Sequence, residues 1–185
     1  MQEFELLSIS HFLGFCICLT AIVFIPKAIQ AKSGLENFSK YLLVFLLVEN
    51  QIRSTYVETL IKGGNLLENL PLHLCDFSAI VIAVFLLTGL RPLFIFAYFW
   101  GIAGAGMSIL TPDSEFAFPH YEYLATMYGH SLILLAVVFS IVNLGQRPYL
   151  RDIPKLIFYS SILLAIMYCI NYIFGANYWY LNERP

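Results

Sequence analysis

Apolar residues run through this chain in six long stretches separated by short polar connections, near 8–25, 38–60, 72–89, 92–110, 122–144 and 153–176. A helix needs ~20 apolar residues to cross ~30 Å of hydrocarbon, and these stretches reach or approach that length. Only helices and closed barrels satisfy their backbone inside lipid, and the period-two alternation of a barrel strand is absent. The pattern therefore predicts an all-α fold: a polytopic transmembrane helix bundle of six spans, with residues 1–185 forming one domain.

Composition agrees with this reading. Charged residues make up 12% of the chain and the hydrophobic set 59%, against a charged share of ~25% in soluble domains. The net charge of −2 says little about a partner, and with no basic patch interleaved with aromatics no nucleic acid is expected. Glu3 and Glu5 stand where a signal peptide carries basic residues, and no small-residue cleavage site follows Ile25, so the first span is expected to stay in the mature protein.

Basic residues set the expected orientation. Lys27, Lys32 and Lys40 flank the first connection, Arg91 marks the third, and Arg147, Arg151 and Lys155 fill the fifth. The opposite ends hold only Lys62 and Arg184 but many acids, so the N-terminus is expected outside and the chain in a cell membrane, the bacterial plasma membrane, as a multi-pass protein. His11, at the outer start of the first span, is expected at the lipid interface.

Polar residues inside the spans then stand out, because each uncompensated charge at the bilayer centre costs ~3 kcal/mol or more. In the second span Glu49 and Arg53 are four apart with the acid first, the favourable order for an ion pair, and Asn50, Gln51 and Glu58 continue a polar surface. Glu49 lies about 13 Å along the helix from Lys40, close to the midplane. The third span opens on Asn69-Leu70-Pro71-Leu72-His73-Leu74-Cys75-Asp76. Pro71 suits a first helical position with Asn69 or Leu70 as cap, which puts His73, Cys75 and Asp76 in the first turn. At 100° per residue His73 and Asp76 share a face, while Cys75 is ~160° from His73. A thiol nucleophile at Cys75 therefore needs its base from another span.

The fourth span repeats Ala97, Gly101 and Ala105 at intervals of four, a ridge for close helix packing. The fifth carries His130 two turns from its outer end, the fourth connection carries His120, and the sixth ends near Asn171, Asn177 and Tyr178. These polar groups all belong to the outer half of the bilayer, which points to one outward-facing cavity. The four cysteines, Cys16, Cys18, Cys75 and Cys169, have no metal-ligand spacing, and ligands two apart on a helix diverge. Haem on two of His73, His120 and His130 has no Cys-x-x-Cys-His support. No metal or other cofactor is expected.

Several motifs together, Leu70-Pro71-Leu72-His73-Leu74-Cys75-Asp76, Tyr98-Phe99-Trp100-Gly101, Thr111-Pro112-Asp113, Phe118-Pro119-His120, Gly129-His130 and Asn177-Tyr178-Trp179-Tyr180-Leu181 with Arg184-Pro185, resemble the YwaF-like family of bacterial multispanning membrane proteins. That family resembles in turn an animal transmembrane protein proposed to be a cysteine-dependent phospholipid acyltransferase. The resemblance implies lipid acyl transfer or hydrolysis, with membrane lipids as partners. It also implies seven spans; this chain supplies six, as expected of a fragment or a shortened member.

Two functions follow. In an acyltransferase or hydrolase, Cys75 is the nucleophile, His130 or His120 the base, and His73 with Asp76 a relay; Glu49, Asn50, Arg53, His120, Asn171, Asn177 and Tyr178 contact the substrate, with Arg53 meeting a lipid phosphate. In a small-solute transporter or receptor without catalysis, the same polar groups bind a zwitterion. Substrate identity and oligomeric state carry no signal in the sequence.

Overall fold

The computed structural model describes residues 3–6, 8–32 and 34–183; Arg184 and Pro185 of the C-terminal motif lie outside them. The fold is an all-helical bundle whose six long helices answer to the six apolar stretches. These are α1 (Ile9–Gln30), α2 (Leu35–Tyr56, continued by a π-helical turn Val57–Ile61), α3 (Leu74–Thr88), α4 (Arg91–Leu110), α5 (Tyr121–Val142) and α6 (Ile153–Phe174). α1, α4, α5 and the helix containing α6 are long and apolar enough to span a membrane; α3 is apolar but shorter, and α2 has spanning length but carries the half-exposed Glu49 and Arg53.

Helices successive in the chain alternate in direction, so α1 runs parallel to α5 and α4 parallel to α6. Gln30 of α1 donates to the Val142 carbonyl at the end of α5 (2.9 Å), and Arg91 at the start of α4 reaches Asp152 before α6. These contacts gather the basic residues at one end of the bundle. At the other end the backbone of Phe4 donates to Glu115 (2.9 Å) and Lys62 reaches Glu122 (2.7 Å). α5 is the central helix and packs on α1, α2, α3 and α4. Leu47, Ile82, Phe85, Phe94, Ala136 and Val137 form the core between these helices. α6 stands at the edge, with most of its surface open to lipid.

Two helix ends differ from the sequence expectation. α1 does not stop before Pro26 but carries it in its last turns to Gln30. α3 starts at Leu74 with His73 as cap, leaving Pro71 in the preceding loop. The cause is local: the Asp76 carboxylate accepts the backbone N–H of His73 at 3.0 Å, satisfying a donor that a longer helix would have used.

This late start positions the site. Fifteen residues rise only ~22 Å, against ~30 Å of hydrocarbon. The far end of α3 is tied to the basic end of the bundle by the tight turn through Gly89 (φ 71°) into α4. The N-terminus of α3 therefore stops below the acidic end and leaves a recess. The irregular backbone before it is tolerated at that depth because it borders a polar cavity.

Candidate functional site

The recess is a cavity of about 400 Å³. α2 contributes Asn50, Gln51, Arg53, Ser54 and Glu58; α3 contributes Cys75 and Asp76; α5 contributes Tyr121, Glu122, Thr126 and His130. Asp113, Ser114 and Glu115 of the loop between α4 and α5 form its rim. A second recess of about 360 Å³ shares Gln51, Ser54, Glu58, Asp76 and Asp113 and extends to His73 and Tyr180. Of the residues singled out in the sequence, Cys75, Asp76, His130, Asn50 and Arg53 meet here.

Cys75 sits in the first turn of α3. Its Sγ faces α4 where a side chain is missing: a Cβ built on Gly104 would lie 3.2 Å from the sulfur. Gly104 belongs to the π-helical stretch Gly101–Ala105, which interrupts α4. π-Turns inside helices recur at functional sites, and this one widens α4 beside the thiol.

His130 is oriented by its own helix. Nδ1 lies 2.7 Å from the Thr126 carbonyl, so the proton belongs on Nδ1 and the basic lone pair on Nε2. Nε2 has no hydrogen-bond partner among the described residues.

Arg53 is fixed on the cavity wall by its neighbours. Its Nη1 donates to the Tyr121 hydroxyl (2.5 Å), its Nη2 to Asn50 Oδ1 (2.6 Å), and its Nε stands 3.4 Å from Glu49. The guanidinium also faces the rings of Tyr121 and Tyr128. These partners use three of its five N–H groups and fix the guanidinium on the cavity wall, with one N–H left on each of Nη1 and Nη2. By taking Oδ1 Arg53 leaves the Nδ2 donors of Asn50 for the cavity. That amide packs on bare backbone: a Cβ on Gly129 would meet Nδ2 at 2.9 Å. Glu49 itself borders a shallow lipid-facing groove with Phe45 and Ile52, outside the cavity.

The remaining candidates are held by structure. His73 and Asp76 are joined through the His73 backbone, while the His73 ring packs on Tyr178 and Tyr180, with centroids 5.1 and 5.6 Å away. The expected side-chain relay is replaced by a helix cap. His120 caps α5, where its Nδ1 accepts the Glu122 N–H (3.4 Å) and its ring lies on Phe116. Asn171, 1% exposed, clamps Tyr178 by donating to its carbonyl and accepting its N–H, both at 2.8 Å. Tyr178 donates to the Leu67 carbonyl (2.6 Å) and accepts from the Leu70 N–H (3.1 Å). Asn177 closes the C-terminal turn on residues 182 and 183. Asn171 and Tyr178 thus hold the segment after α6 over the 62–73 loop, and none of the three lines the cavity. His11 is likewise buried, between the Leu110 carbonyl and Tyr123, away from the lipid interface.

The charge balance of the cavity is acidic. Its lining holds two cations, Arg53 and Lys62, and five carboxylates, Glu58, Asp76, Asp113, Glu115 and Glu122. Lys62 is bound to both Glu122 (2.7 Å) and Glu58 (3.1 Å). The Glu122 hydrogen bond and the Glu58 pairing raise its pKa against the opposing effect of burial. Among the described residues no three His, Cys, Asp or Glu side chains converge as metal ligands.

The model of the TMEM164 family matches residues 3–185, essentially the whole chain. The chain belongs to the TMEM164 family. This TMEM164-family chain is 33% identical over 172 residues to an uncharacterized protein of Treponema pallidum (strain Nichols), across 91% of this chain and 70% of that protein. No solved structure matches it. Family membership and the apolar helices together make it a multi-pass membrane protein.

Proposed function

We propose that this protein is a lipid acyltransferase or hydrolase of the plasma membrane, YwaF-like within its family, with its cavity opening on the non-cytoplasmic side. The convergence of Cys75, His130 and the Asn50 amide on one cavity carries the reading. The basic end formed around Lys27, Lys40, Arg91, Arg147 and Arg151 supports the orientation.

The chemistry is a two-step acyl transfer. His130 Nε2 takes the thiol proton of Cys75, and the sulfur attacks the carbonyl carbon of a phospholipid ester. The carbon–sulfur bond forms, the ester carbon–oxygen bond breaks, and the proton passes from Nε2 to the departing alkoxide, giving a lysophospholipid. A hydroxyl of a second lysolipid, or water, then attacks the thioester; its proton goes to Nε2 and on to the thiolate as sulfur leaves. The Nδ2 donors of Asn50 stabilise the negative oxygen in both steps. The acidic lining favours a substrate that presents a cationic group, and the two N–H groups that Arg53 keeps free are available to its phosphate.

The test uses the purified chain in vesicles containing a phospholipid with a labelled acyl chain and a lysophospholipid acceptor. Cys75→Ala abolishes transfer and His130→Gln lowers kcat by ~10²-fold or more. Full transfer by Cys75→Ala removes the covalent reading. A solute that raises the melting temperature of a chain inactive on lipid favours the transporter or receptor alternative.

A further inference from the structure

Another cavity shares no residue with either recess of the candidate site. It is a cleft of about 890 Å³ between α6 and the α3–α4 pair. Its walls are apolar along their length, with Val81, Leu93, Phe96, Trp100, Phe158 and Ile162 among them. The charged side chains on its lining, Arg91, Asp152 and Lys155, all stand at the basic end of the bundle. The cleft is thus apolar inside and charged at one mouth.

The mouth is cationic on balance. Arg91 and Asp152 neutralise each other through two hydrogen bonds, 3.0 and 2.7 Å. Among the described residues Lys155 has no carboxylate at salt-bridge distance, and neither has Arg151 beside it. From Arg91 to Trp100 the cleft follows nine residues of helix, ~14 Å, about one leaflet of a ~30 Å hydrocarbon core.

Among the described residues, side-chain links join α4 to α6 and the turn before it: Arg91 on Asp152, Phe96 on Tyr159 with centroids 6.0 Å apart, and Trp100 Nε1 on Ser160 Oγ at 3.1 Å. Another helix seated between them would break all three links. An extended hydrocarbon chain lies beside them without breaking any.

We propose that this cleft binds one anionic phospholipid of the basic-end leaflet, with an acyl chain along α4 down to Trp100 and the phosphate on Lys155. The bound lipid fills the gap that holds α6 apart from the bundle. The proposal is independent of the acyl-transfer reading.

The chain contains two tryptophans, which supplies the probe. Trp179→Phe leaves Trp100, on the cleft wall, as the sole reporter. The protein is placed in mixed micelles with phosphatidylglycerol or phosphatidylcholine, each brominated on the acyl chain, and tryptophan quenching is read at equal mole fraction. Phosphatidylglycerol is expected to quench Trp100 at several-fold lower mole fraction than phosphatidylcholine. Lys155→Gln, an exposed change outside the proposed catalytic cavity, reduces that preference about fivefold. Inorganic phosphate in phosphatidylcholine micelles leaves the emission unchanged. Equal quenching by the two lipids, a preference that survives Lys155→Gln, or a phosphate effect equal to that of phosphatidylglycerol overturns the proposal.

Discussion

Gly104→Ala separates the role of the Cys75 thiol from its packing. The added methyl would lie 3.2 Å from Sγ, with the nearest Leu74 carbon at 3.8 Å, so the sulfur takes nearly all the compression. Ordinary contact begins near 3.4 Å, and the thiol must rotate or retreat by a few tenths of an ångström. Glycine to alanine within a helix gains up to about 1 kcal/mol, and mild overpacking costs about as much. The melting temperature therefore changes little, with net stability within about 1 kcal/mol of the parent. Transfer should respond far more, since a displacement on the ångström scale at a reacting centre costs on the order of 10²-fold; a tenfold fall or greater is expected. The assay is labelled acyl transfer in vesicles, run beside thermal unfolding and peptide-resolved alkylation of Cys75. In the Cys75→Ala background the same substitution clashes with nothing and shows only the helix-propensity gain, which isolates the coupling. A Gly104→Ala protein that transfers within twofold of the parent while its Cys75 alkylation rate changes refutes the assignment of the thiol to the chemistry.

Further outcomes follow from the same geometry. Gly129→Ala pushes the Asn50 amide off the α5 backbone and lowers kcat with little change in KM, read from transfer kinetics. Asn171→Leu leaves the N–H and carbonyl of Tyr178 without partners; at ~1–3 kcal/mol for each such group it costs about 2–6 kcal/mol in denaturant unfolding. Substrate affinity per folded molecule should not change, contrary to a binding role for Asn171. Lys62 has its folded pKa raised above the ordinary 10.5 by Glu122 and Glu58. Its contribution to stability is complete below pH 10.5 and is lost as pH rises through the folded value. Lys62→Met should remove that alkaline limb from melting curves recorded between pH 9 and 12.

The six helices were legible because hydrocarbon thickness forces long apolar runs, and no soluble core imitates six of them. The contribution of α2, α3 and α5 to the cavity was legible for the same reason: Asn50, Arg53, Asp76 and His130 are expensive in lipid unless they face one another. Helix ends were less so. Pro26 reads as a stop, yet it is buried within the last turns of α1. The start of α3 is decided by a contact between the Asp76 carboxylate and the His73 backbone, which spacing alone does not distinguish from a cap at Asn69.

Polar groups that hold a fold together and those that bind a ligand look alike in a sequence, which is why Asn171, Asn177 and Tyr178 read as site residues although their hydrogen bonds order the segment after α6. The glycines that admit functional side chains were missed for the opposite reason. Gly129 stands out only as part of the Gly129-His130 motif and Gly104 only as a small residue beside the packing ridge, until Cys75 and Asn50 are known to lie against them. Ser54 and Thr126, also on the cavity wall, are ordinary in a span. Lys62 read only as an exception to the charge rule, although it ties α2 to the start of α5 across the mouth of the cavity.

The most direct measurement of the central claim is mass spectrometry of the Cys75 peptide after the purified protein is incubated with diacyl phospholipid and no acceptor. The account predicts an acyl mass on Cys75 that is released by hydroxylamine, decays when lysophospholipid is added, and is absent from Cys75→Ala. An unmodified Cys75 in protein that transfers acyl chains, together with transfer at the parent rate by Cys75→Ala, would contradict it.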